Sequence, residues 1–202
     1  MLHHDTIRLR ERLQGFTDWQ RSAFALSCTQ RALPLYLAYA PAFRQGNAEF
    51  ASSAVSQMWS ALEAGQQVPP PEAERMIATA KAALPPDIAP GAPMLHWYAQ
   101  AAMIALTHAI RCHLPGDRTQ DALASESQLR HLVTIHVESR DNLDWNVEAD
   151  RDRLDSDPLM QAELARREAD LSLLARGGNQ AETVRHMRER AEREPVIEAR
   201  DI

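Results

Sequence analysis

His108 and Cys112 stand four residues apart, so any helix that carries them presents both on one face. An imidazole and a thiolate so placed can hold a soft metal ion if a third ligand arrives from the next helix, and His131 or His136 is in position to supply it. The same spacing suits a core histidine bonded to a carbonyl beside a small apolar thiol, so the spacing alone assigns no metal site and no cofactor. His96, Trp97 and Tyr98 form a second group of rings with polar tips, able to line a small-molecule pocket or to cap a helical core. Asp150, Asp152, Asp155 and Asp157 offer oxygen ligands to a hard cation. They lack the turn glycine and closing glutamate of a calcium loop, which favours a solvated acidic loop. Tyr36, Tyr39 and Phe43, next to Pro34, can form an interaction patch or pack within the core.

The familiar catalytic signatures are missing. There is no phosphate-cradling glycine loop, no Gly-x-Ser-x-Gly elbow, no His-Glu-x-x-His and no Cys-x-x-Cys. None of the eight histidines has a glutamate three residues before it, which argues against a ferritin-like di-iron bundle. With 28 acidic and 22 basic side chains the net charge is −6, a poor match to a phosphate backbone. The stretch Leu159 to Glu194 is itself neutral, with seven basic and seven acidic residues, so no local basic face rescues nucleic-acid binding. Two cysteines point to a reducing compartment rather than a disulfide scaffold. The opening Met1-Leu2-His3-His4-Asp5 lacks the basic and apolar regions of a secretory signal, and the expectation is a cytoplasmic protein. The uncharged window Met94 to Ile110 contains His96, Gln100, Thr107 and His108, so a buried helix rather than a membrane span is expected.

The elements that must position these residues all read as helices. A length of 202 residues matches one domain at roughly 100–200 residues each, taken here as a single helical domain over residues 1–202. Alanine, leucine, glutamate and arginine abound while β-branched residues are sparse, which predicts an all-α, compact bundle of about seven or eight helices. A short first helix ends at Gly15. Thr17 and Gln20 form a capping box that opens the second, with Trp19, Ala23, Leu26 and Leu33 inward; Pro34 and Pro41 are expected to break or kink it. Asn47 caps a third helix with Phe50, Ala54, Val55, Met58 and Leu62 on its apolar face and Trp59 at the rim. Pro69-Pro70-Pro71 starts a fourth, and the proline-rich residues 85–93 make a stiff connection. The helix from about Met94 to His113 is apolar nearly all round and is expected at the centre of the bundle. Another follows from about Thr119 to Ser139. Residues 138–157, with eight acids against three arginines and few apolar residues beyond Leu143, Trp145, Val147 and Leu154, read as an acidic connecting segment with a frayed helical piece. Asp157-Pro158 then opens a penultimate helix, and Asn179 with Glu182 caps a last one. In that helix only Val184 and Met187 are strong apolar anchors, so residues 179–202 are expected to be a peripheral helix and tail, or to dock on a partner.

The chain resembles the YjaG-like family of bacterial helical proteins, a domain of unknown function, at three stretches. They are Trp19-Gln20, Phe24, Arg31, Pro34 and Tyr36; Trp59 followed by Leu62; and Leu154, Asp155, Asp157, Pro158 and Leu159 leading to Glu163. The tail Glu194-Pro195-Val196-Ile197 departs from the family pattern. The resemblance implies an all-α fold and carries no catalytic residues. Arg31, Asp155 and Asp157 are polar positions that packing does not require; an ion pair from Arg31 to these acids would pin the acidic segment to the second helix. Equally, Arg31, Tyr36, Asp155 and Asp157 can serve a partner.

No constellation specifies a reaction, and the expectation leans to a non-enzymatic interaction module, homodimeric and with an unidentified protein partner, binding neither nucleic acid nor membrane. The alternative is a small-ligand or metal-binding protein built on a polar site containing His96, His108, Cys112, His131 and His136.

Overall fold

The computed structural model describes residues 2–86, 92–144 and 146–197. Part of the proline-rich connection, Trp145 and the last five residues of the tail lie outside them. Among the described residues there are nine α-helices and no strand: α1 (Leu2–Gln14), α2 (Asp18–Phe43), α3 (Ala48–Glu63), α4 (Pro70–Ala82), α5 (Met94–Arg111), α6 (Thr119–Asp141), α7 (Glu148–Ser156), α8 (Pro158–Ala175) and α9 (Gln180–Arg193). The count exceeds seven or eight because the acidic segment contains α7. Its alternating acids and arginines include a local Asp150–Arg153 pair, and Leu154 is buried to anchor it.

Helix starts follow side-chain chemistry. Asn47 accepts from the Phe50 N–H, Asp157 from Leu159 and Asn179 from Glu182, each satisfying a donor that the first turn leaves orphaned. At the start of α2, Gln20 Oε1 accepts from the Thr17 backbone N–H at 2.8 Å, while Gln20 Nε2 donates to the Leu174 carbonyl at the end of α8. α2 does not break: both prolines lie inside it. It packs along α3, α5, α6, α8 and α9, and this burial outweighs the local cost of two missing donors.

One hydrophobic cluster draws residues from all nine helices. α5 buries mainly alanines and leaves Gln100, Ile104, Thr107, His108 and Arg111 half-buried along one side, so its circumference is not enclosed throughout. Trp59 is fully buried rather than at a rim, its Nε1 donating to Gln30 Oε1 at 3.2 Å. α9 finds its company inside the chain rather than at the periphery. Val184 and Met187 are buried against α2 and α3, and Gln180 Nε2 donates to the Leu62 carbonyl that ends α3. Val196 and Ile197 of the tail are buried too, and the Val196 N–H donates to the Arg31 carbonyl at 3.0 Å.

Candidate functional site

Three elements and the tail converge on a groove of about 650 Å³. Met94 and Tyr98, one turn apart, come from α5; His136, Ser139 and Arg140, at helical spacing, come from α6. Leu159 and Arg166 come from α8, and Pro195, Val196 and Ile197 close the wall. Tyr98 is 2% exposed, and its hydroxyl shares a 3.0 Å hydrogen bond with His136 Nδ1. Burial pushes the Tyr98 phenol up to about 12, so near neutral pH it keeps its proton and can donate. Arg140 is held from behind by Asp141 and Asp157. Among the described residues Arg166 makes only long contacts, Nη1 to Glu163 at 3.6 Å and Nε to Glu194 at 3.4 Å, and its buried Nη1 has no hydrogen-bond partner. Among the described residues no aspartate or glutamate lines the groove.

Beneath this wall lies a buried ionic network. Arg31, 2% exposed, donates to Ser27 Oγ, to Asp170 at 2.8 Å and to Glu163 at 2.9 Å. Arg190 of α9 approaches Asp170 at 3.4 Å. Desolvation raises the Glu163 carboxyl above its ordinary value despite the neighbouring Arg31 and Arg166. Arg167 turns to another cluster, pairing with Asp5 of α1 and Glu126 of α6. Glu163, Arg166, Arg167 and Asp170 recur at i, i+3, i+4 and i+7, the period that normally marks an apolar face. That charged stripe facing inward was the available sign of the network.

The other expected site residues disperse. His108 Nδ1 meets Asp121 at 2.9 Å; Cys112 is buried near the Arg118 carbonyl, its thiol pushed up strongly by burial; His131 is exposed on α6. His96 packs edge-on against Tyr39 and Phe43 and contacts the Pro86 carbonyl. Only His136 reaches the groove, so the five-residue polar site does not assemble. Among the described residues no three His, Cys, Asp or Glu side chains are grouped to hold a metal ion. Arg31 does not bind Asp155 or Asp157: Asp157 caps α8 and meets Arg140, whereas Asp155 is half-buried and lends its carbonyl to Gln161. Arg31 and Tyr36 are buried, which removes them from any surface patch; the Tyr36 hydroxyl donates to the Ala83 carbonyl and accepts from the Asn47 N–H.

A family model described as a protein of unknown function, DUF416, matches residues 8–197. No curated protein matches. The crystal structure of a DUF416 family protein from Shewanella baltica is similar with a TM-score of 0.76 and 19% identity, over 90% of this chain and 92% of that one. At that identity the likeness concerns the fold. No helix among the described residues is long and apolar enough to cross a membrane.

Proposed function

We propose, for a chain that belongs to the DUF416 family of proteins of unknown function, that it is a non-catalytic binding protein whose working surface is the groove between α5, α6, α8 and the tail. The reading rests on the Tyr98–His136 hydrogen bond set into a wall of Met94, Leu159, Val196 and Ile197. Small-molecule sites have this composition, with volumes of roughly 300–1,000 Å³, an apolar lining and few polar groups that fix orientation. Titration of the full chain with 1-octanol in a calorimeter tests it. The expected result is saturable binding that Ser139→Trp abolishes, because Ser139 is exposed and lines the groove, so the indole fills it at little cost to the fold. No saturable binding to the native protein overturns the reading.

A second reading, an interaction module that pairs with its own copy, draws on Trp97, 41% exposed on α5, since aromatic side chains are enriched in interface cores. Light scattering giving a dimer that Trp97→Ala dissociates supports it; a strict monomer removes it. The placement of this chain in a YjaG-like subgroup, as a single cytoplasmic domain, belongs to the same proposal. It is supported by the Trp19, Arg31, Pro34 and Asp157-Pro158 pattern and by two free, buried cysteines. The acidic net charge weighs against a nucleic-acid partner.

A further inference from the structure

Among the described residues, every ionisable side chain lining the groove is a cation, an imidazole or a phenol, and the acids that balance Arg140 and Arg166 approach from outside the lining. One of them differs from the rest. Asp157 and Glu163 are buried and fixed by other bonds, to the Leu159 N–H and to Arg31, and Asp141 holds Arg140 through two hydrogen bonds. Glu194 stands at the root of the tail, its side chain 42% exposed, at 3.4 Å from Arg166 Nε and in no hydrogen bond with it. The next three residues, Pro195 to Ile197, form the groove's apolar wall. A carboxylate joined to the groove's apolar wall therefore already faces the cation that a bound amphipathic acid would reach.

We propose that the groove's ligand is a small monocarboxylate with an apolar body, and that Glu194 is an internal competitor which the ligand's carboxylate displaces from Arg166. The inference rests on the groove being a binding site and names its ligand class. Arg166 suits this exchange because a guanidinium is a good carboxylate partner, and its Nε faces Glu194 at 3.4 Å with no hydrogen bond to surrender. The ligand's alkyl body lies against Met94, Leu159 and Ile197, and the Tyr98–His136 pair marks the polar side of the site.

Octanoate and 1-octanol, titrated in parallel into the full chain, separate the two levels. Octanoate is expected to bind at least tenfold more tightly than octanol. Glu194→Gln removes the competing charge, and since an exposed ion pair is weak, octanoate affinity should rise roughly two- to fivefold with octanol unchanged. Arg166→Gln should weaken octanoate about tenfold and spare octanol, a thermal melt confirming that the variant is folded. Equal binding of the two probes, or an E194Q variant with unaltered octanoate affinity, overturns the carboxylate inference while the groove reading stands. Binding of neither probe overturns both.

Discussion

Replacing Arg31 by methionine tests whether the buried ionic network holds the helices together. The guanidinium bridges α2 to α8 through Glu163 and Asp170, whose residues are 5% and 0% exposed. Methionine keeps the aliphatic volume of the stem but leaves two buried carboxylates short of their principal partner. Each retains one more distant arginine, Arg166 at 3.6 Å from Glu163 and Arg190 at 3.4 Å from Asp170, so neither is stranded. Removing one member of a buried pair costs about 3–5 kcal/mol, which at this chain length corresponds to a fall in Tm of roughly 6–20 °C. Urea denaturation followed by circular dichroism measures the loss directly. The desolvated Glu163 accepts a proton more readily than it does unfolded, so its ionisation costs native stability as pH rises through its raised folded value. Without Arg31 that cost grows, and the defect should therefore be smaller at pH 5 than at pH 8. Replacing all three by apolar residues, Arg31→Met with Glu163→Leu and Asp170→Leu, should recover much of the loss, because the penalty lies in uncompensated charge. A single-variant loss under about 1 kcal/mol, or one that is the same at both pH values, refutes the reasoning.

Three further outcomes are expected. His113 is held neutral by burial, its value lowered to about 4, so the folded protein binds fewer protons there than the unfolded chain. Stability should be whole above about pH 6.5 and decline toward pH 4, by at most about 3 kcal/mol, and His113→Gln should flatten that part of the denaturation profile. Tyr36→Phe orphans the Ala83 carbonyl and the Asn47 N–H and should cost about 1–3 kcal/mol in urea melts. Gly46 has φ +82°, and a Cβ there would lie 2.3 Å from the Tyr36 hydroxyl oxygen, so Gly46→Ala should destabilise by displacing that same oxygen. In the Tyr36→Phe background its cost should shrink by about 0.5 kcal/mol or more, and strict additivity in the double-mutant cycle would count against this geometry.

Helix boundaries were readable wherever a side chain acts on the backbone beside it. Asn47, Asp157 and Asn179 bond donors two or three residues away, a distance that sequence displays directly. Interactions across the fold were not. Tyr98 and His136 are 38 residues apart and meet only because α5 and α6 pack side by side. Arg31 reaches Glu163, 132 positions away, rather than the acids near Asp155 that a local pattern suggests. The prolines of α2 misled for a related reason. Proline's penalty is a local quantity, and the surrounding helices that offset it belong to the tertiary structure. Likewise α9, weak by its own apolar content, is held by Gln180 bonded to α3 and by Arg188 paired with Glu63.

Pro34 connects the buried network to the groove. Lacking an N–H, it cannot donate to the Gln30 carbonyl four residues before it. One turn before Pro34, the Arg31 carbonyl accepts from the Val196 N–H, fixing the tail where its apolar side chains form the groove wall. One residue of α2 thus works at both ends: the Arg31 backbone anchors the tail, and its guanidinium holds Glu163, which in turn faces Arg166 of the groove. Glu194 closes the circuit by joining tail to Arg166. A polar residue in the middle of a helix, buried beside a proline, is costly as packing alone; here it sets the position of the groove's cation and of the segment that lines it. The positions Arg31 and Pro34 therefore fall on the support of the groove, while the tail that the family match also covers forms part of its wall.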